Sequence, residues 1–275
     1  MRPFLVTELQ AGKLPRWGLL LLCVLYILPG FVGRDPWRTA DAEGFGIALT
    51  MARGDASDWL IPNIAGEAVT RDGPLPFWIG ATFVRAAGPL AAWVGEHALV
   101  RLASMTVLAL ALLAFWYGAY ALARRPGVQP TDPFGAGASR TDFGRAIADS
   151  ALLVLMATLG LIATVHETTA DAAQIALCAL FLYGAATVHQ NPTRGGLLAG
   201  FAVGASVATT GLVQAGLMGI TAVLLPAVSP QYRLTAGRWL PTMLVTGVIL
   251  GALWPLGLAL SGPAGQEHLG EWLGA

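Results

Sequence analysis

Residues 34–78 read RDPWRTADAEGFGIALTMARGDASDWLIPNIAGEAVTRDGPLPFW, and they hold seven of the chain's sixteen acidic residues: Asp35, Asp41, Glu43, Asp55, Asp58, Glu67 and Asp72. Extended apolar segments flank this stretch on both sides. Carboxylates are costly inside hydrocarbon and tolerated in water, so the stretch reads as a large polar loop held at one membrane surface. There it stays hydrated while facing a lipid-borne substrate.

Composition agrees. The 275 residues are 55% hydrophobic and only 12% charged, with a mean hydropathy of +0.63. That leaves too little polar surface to cover a soluble globule. The expected fold class is all-α, a polytopic membrane protein with residues 1–275 in one transmembrane domain and residues 34–97 as its first loop. Sixteen basic and sixteen acidic residues give zero net charge; without a basic face, a nucleic-acid partner is excluded. Cys23 and Cys178 sit in apolar runs without ligand-like neighbours, which argues against a disulfide or a zinc site.

In chain order, Arg2, Lys13 and Arg16 precede an apolar run over 17–32 that lacks a small-x-small cleavage site. It reads as an uncleaved first membrane helix. Within the loop, Ala42, Phe45, Ala48, Leu49 and Ala52 recur at helical spacing, and a second interfacial helix, Leu75 to Ala87, follows Pro74 with Phe77 and Trp78 at headgroup depth. Further spans are expected at 99–121, 147–165 and 172–188, with a flexible loop over 126–145. The apolar run 195–228 exceeds one span of roughly twenty residues. It is expected to divide at Thr209-Thr210-Gly211, a single long tilted helix being the alternative. A last helix covers 240–260, containing Pro241 and Pro255, and a polar tail follows, so about seven membrane helices are expected.

Ten of the sixteen basic residues fall on the side of the N-terminus, and the tips 165–171, 209–211 and 261–275 carry none. The positive-inside rule then makes the N-terminus cytoplasmic and gathers the 34–97 loop with the 165–171 and 209–211 tips outside. In a bacterium this is the periplasmic face of the inner membrane.

Those tips are where chemistry is expected. An aspartate at the bilayer centre costs roughly 2.5–3.5 kcal/mol, so Asp41 and Asp171, just beyond apolar helices, point to a wet interfacial cavity. Asp41 is the candidate general base toward an acceptor, with Asp171 and Glu167 orienting it or holding a cation. On a helix Asp41 and Glu43 point about 200° apart, so both cannot serve one reacting atom. Each has a plainer role to weigh: Asp41 as a helix cap, Trp59 and Trp78 as interface anchors, Asp58 as a loop residue, Arg38 and Arg71 as headgroup contacts. His166 with Glu167 and Asp171 is either a metal site or a hydrated tip.

Tryptophan, a short spacer, Asp41, Phe45 and then GDASDWLIPNIAGEAVTRDGPLPFWIGA together resemble the first periplasmic loop of GT-C type membrane glycosyltransferases. The nearest groups are the lipid A aminoarabinose transferases and the protein mannosyltransferase superfamily, glycosyltransferase family 39. On this resemblance Asp41 matches the catalytic aspartate, Asp58, Trp59 and Pro62 a second motif, Pro74 and Trp78 a third, and Asp171 an aspartate at the tip between the third and fourth helices. The sequence departs where it has Asp72-Gly73-Pro74-Leu75 for Glu-Lys-Pro-Pro and Thr209-Thr210-Gly211 for Thr-Lys-Gly. Positive charge for a lipid phosphate then falls to Arg38, Arg71 or a divalent cation, and no other cofactor is implied. The resemblance covers the N-terminal half of such enzymes. It implies inverting transfer of a sugar from a polyprenyl-phosphate carrier to a periplasmic lipid, glycan or protein acceptor, with Glu43, Asp58, Trp59 and Glu167 beside the substrates. A non-catalytic lipid-binding or assembly protein built on the same scaffold is the alternative. A transporter is disfavoured, because the expected spans carry no acid near their centres.

Overall fold

A computed structural model describes residues 14–36, 38–129 and 137–274. Arg2 and Lys13, used in the orientation argument, and part of the loop expected over 126–145 lie outside the described residues. The first apolar run forms α1 (Arg16–Phe31). The polar loop holds α2 (Thr39–Arg53), α3 (Ala56–Leu60), the strands β1 (Asn63–Ile64) and β2 (Glu67–Ala68), α4 (Leu75–Ala87) and α5 (Ala91–Val94). After it come α6 (Glu96–Ala123), α7 (Arg140–Met156), α8 (Leu159–Val165), α9 (Ala170–Thr187), α10 (Pro192–Val207), α11 (Leu212–Val228), α12 (Pro230–Arg233), α13 (Ala236–Leu260) and α14 (Pro263–Gly274).

Among the described residues the chain is all-α apart from one hairpin. β1 and β2 pair antiparallel, with Asn63 opposite Ala68 and Ile64 opposite Glu67. The turn between them holds Ala65 at φ 54° and Gly66 at φ 90°, the two left-handed positions that a tight hairpin requires. Asn63 locks it, accepting from Gly66 N at 3.3 Å and donating to Asp58 Oδ1 at 3.0 Å.

Among the described residues four helical stretches are long and apolar enough to cross a membrane, and a fifth if α7 and α8 are one bent span. By length and composition this falls short of the expected seven, because α1, α10 and α11 have only 16, 16 and 17 residues. One of the four is Leu75–Val94, which covers the helix expected to lie in the interface. The helix expected over 147–165 is broken instead: α7 and α8 meet at 74°. Thr158 is the physical cause. Its N–H turns to Leu155 O at 3.1 Å, a tightened turn, and its hydroxyl donates to Val154 O at 3.0 Å, closing α7. The long apolar run does divide at Thr209–Gly211, where Gly211 adopts φ 95°. The polar tail is helical, as α14.

Helix packing depends on small residues. Gly196, Gly200 and Gly204, spaced by four along α10, lie against the backbone carbonyls of Trp239, Met243 and Gly247 on α13 so closely that no side chain fits between. This small-xxx-small stripe lets two helices meet without a water-driven hydrophobic gain, which lipid surroundings do not supply.

Asp149, midway along α7, is 2% exposed. It accepts from Trp116 Nε1 at 2.8 Å and from Leu14 N at 3.1 Å, tying the start of α1 to α6 and α7. An acid therefore does lie inside a helix of the bundle, with its oxygens bonded to α6 and to the chain just before α1.

Candidate functional site

Three segments distant in sequence meet at one end of the bundle. Gly44 on α2 packs on the Thr168 carbonyl, so that a Cβ there would overlap it. The Asp72–Leu75 segment docks on the turn after α10: Gly73 N donates to Thr209 O at 2.8 Å and Leu75 N to Ala208 O at 2.9 Å. The loop, the 165–171 tip and the 209–211 tip thus share one surface.

At its centre Asp41, in the first turn of α2, is fully buried at 0% exposure. Arg101 on α6 donates through Nη1 to Oδ1 at 2.8 Å and through Nη2 to Oδ2 at 2.5 Å. Thr168 N adds a third bond to Oδ1 at 2.8 Å, and the Thr168 hydroxyl lies 3.2 Å from that of Ser104. The fork-to-carboxylate geometry fixes Asp41 in angle as well as distance. Asp41 does not cap α2, whose N-cap is Arg38, without a side-chain bond.

Around this centre lies a charged rim. Arg71 pairs with Asp72 at 3.1 Å, and Asp171 and Glu43 are near enough to act on both. Burial pushes the Asp72 carboxyl above its ordinary range; Arg71 pulls it back, and the charges of Asp171 and Glu43 raise it further. Arg71 is held more firmly protonated, chiefly by Asp72. Asp171 is exposed in the first turn of α9, whose N-cap is Thr169, accepting from Ala172 N at 3.3 Å. Arg38 pairs with the buried Glu167 at 2.9 Å.

The remaining predicted residues lie apart. Asp58 closes a capping box on α3 with Asp55. Trp59 lies under the Arg85 guanidinium, 5.1 Å from its ring centroid, and its carbonyl accepts from Trp78 Nε1. His166 presents both ring nitrogens to carbonyl oxygens, Nδ1 to Ile162 at 2.7 Å and Nε2 to Tyr26 at 2.8 Å. Both nitrogens are thus turned to backbone carbonyls, and among the described residues no three His, Cys, Asp or Glu side chains group to hold a metal. Sequence reasoning passed over Arg101 and Thr168. The available signal was a lone arginine two residues into the apolar run 99–121, where a charge requires a partner.

No family model and no curated protein sequence matches the chain. Two solved structures share its fold. One is ArnT from Cupriavidus metallidurans bound to undecaprenyl phosphate, with a TM-score of 0.67 and 16% identity over 90% of this chain and 42% of that one. The other is the same protein in the apo state, with a TM-score of 0.66 and 18% identity over the same shares. This chain therefore spans less than half the length of ArnT, a lipid A aminoarabinose transferase. The chain shares the GT-C-like fold of ArnT, over a portion consistent with the N-terminal half of that protein.

Proposed function

We propose that this chain is a membrane glycosyltransferase, or the N-terminal half of one, moving a sugar from a polyprenyl-phosphate carrier to a lipid, glycan or protein acceptor at the periplasmic face of a bacterial inner membrane. The observation that carries this reading is the charged rim of Glu43, Arg71, Asp72 and Asp171 in a fold shared with ArnT.

In the reaction the acceptor hydroxyl oxygen attacks the anomeric carbon while its proton passes to a carboxylate. The bond from that carbon to the phosphate oxygen breaks with its electron pair left on the phosphate, and configuration inverts. Asp171 is the exposed carboxylate at the rim; Asp41 becomes a base once Arg101 is drawn away. Arg71 and Arg38 supply positive charge toward the phosphate. An apolar trough suits the carrier chain. A cavity of about 310 Å³ among Tyr26, Leu108, Phe115, Leu161 and Ile175 shares Leu108, Ala111, Val165 and Ile175 with a cleft that ends at Ser104, Glu167 and Thr168.

The closure of Asp41 favours a second reading, a non-catalytic lipid-binding or assembly protein on the same scaffold. Transfer from labelled polyprenyl-phosphate sugars, measured in native membranes for wild type, Asp41→Asn and Asp171→Asn, separates the two. Loss of transfer with folding intact establishes the enzyme. Carrier binding without transfer in any form establishes the scaffold.

A further inference from the structure

The end of the bundle opposite the candidate site carries exposed arginines above an apolar helix surface. α6 has 28 residues and is long and apolar enough to cross a membrane. Arg124, which follows its last residue, therefore lies at the surface opposite to the Asp41–Arg101 pair. By the 3.6-residue period Leu110, Leu113, Tyr117 and Arg124 share one face of α6, and the first three are 58%, 50% and 48% exposed. That face points away from Leu108, Ala111 and Phe115, which line the trough assigned to the carrier chain. α10 repeats the order: Arg194, Leu197 and Phe201 follow one another at i, i+3 and i+7, all exposed. Tyr183 on α9 ties the two helices together, its ring 6.1 Å from that of Tyr117 and its hydroxyl accepting from Arg194 Nη2 at 3.2 Å.

We propose that this surface binds an anionic phospholipid, with the headgroup phosphate at the Arg124–Tyr183–Arg194 edge and an acyl chain along the exposed apolar residues of α6 and α10. Arg124 and Arg194 are both exposed, and among the described residues neither has a carboxylate within ion-pair distance. Aromatic faces hold both in place, Arg124 over Tyr120 at 5.1 Å and Arg194 over Tyr183 at 6.0 Å. Of the described acids at this end, Asp142 accepts from the Ser139 hydroxyl at 2.9 Å and the buried Asp149 accepts from Trp116 and Leu14. Unpaired arginines at a bilayer surface attract anionic headgroups. Arginine, then tyrosine, then leucine is also the order of a phospholipid from phosphate to acyl chain. A free phosphate would use only the first of these, so the apolar track selects the lipid.

The purified full chain in maltoside micelles is given phosphatidylglycerol and phosphatidylcholine of matched acyl chains in equal amounts, and retention of each is read by native mass spectrometry. Phosphatidylglycerol should be retained preferentially. That preference should fall about fivefold in each of Arg124→Gln and Arg194→Gln. It should survive Arg53→Gln, which removes an exposed arginine paired with Glu96 at the opposite surface. Phe201→Gln should weaken retention of both lipids, and inorganic phosphate at the lipid concentration should displace neither. Equal retention of the two lipids overturns the proposal, as does a preference unchanged in the Arg124→Gln/Arg194→Gln double variant or lowered equally by Arg53→Gln. Displacement by inorganic phosphate overturns it too, since it marks an ion site without a lipid track. No readout uses sugar transfer, so failure here and failure of the transferase reading are distinguishable.

Discussion

Arg101 and Asp41, sixty residues apart in sequence, form a bidentate ion pair with side-chain exposures of 4% and 0%. Desolvating two charges is unfavourable, and removing one partner strands the other. Arg101→Ala should therefore cost about 3–5 kcal/mol of stability. The double variant Asp41→Leu/Arg101→Met should lose much less, because both charges disappear together. Denaturant unfolding in micelles checks this, and strict additivity of the two single changes would refute the coupling.

Gly44 is where α2 meets the Thr168 carbonyl. Gly44→Ala should destabilise by about 1–3 kcal/mol, since backbone and not a movable side chain blocks the methyl. Transfer should fall with it, as Thr168 N leaves Asp41. Gly46→Ala is the control: its Cβ would meet Ile64 at an ordinary 3.5 Å. Equal effects at both positions would sink the argument.

Asp72 titrates above the ordinary aspartate value of 3.8, chiefly through burial. The folded state then holds more protons than the unfolded state in that window, so stability is greatest below it and declines as pH rises through it. Asp72→Asn should flatten that decline. Unfolding midpoints against pH for the two proteins decide it.

His268 on α14 is 3% exposed, with neither ring nitrogen bonded. Its ring lies 6.3 Å from that of Trp254, and burial holds it below the ordinary value of 6.5. Here the unfolded state binds more protons, so the stability it contributes is full above 6.5 and is lost as pH falls through the lowered value. Protease cleavage within α14 should accelerate on acidification in the wild type and stay constant in His268→Phe. An identical acid response in both would exclude His268 as the cause.

Much of the candidate site was legible because it follows from where polarity is permitted. Asp41, Arg71, Glu43, Asp171 and Glu167 stood out as charges next to apolar runs, and all five lie at one end of the bundle. Asp58 and Trp59 stood out for the same reason, yet Asp58 serves a local cap and Trp59 a stacking contact. Sequence proximity to Asp41 does not distinguish a side chain facing the site from one facing its own turn. The α10 glycine stripe, at a spacing of four, was passed over in the sequence. The 74° break between α7 and α8 was not readable, since Thr158 terminates α7 through hydroxyl and turn bonds that a threonine inside a helix does not always make.

By itself the sequence determined that this chain is a helical membrane protein with a large acidic loop, because hydrocarbon admits apolar helices and sends carboxylates to its surface. It also divided the long apolar run at Thr209–Gly211. Only the tertiary structure decided that Asp41 is closed by Arg101 and Thr168. Partner choice among charges depends on which helix ends meet, and that is set by close packing at Gly44, Gly73 and the α10 stripe, between residues far apart along the chain.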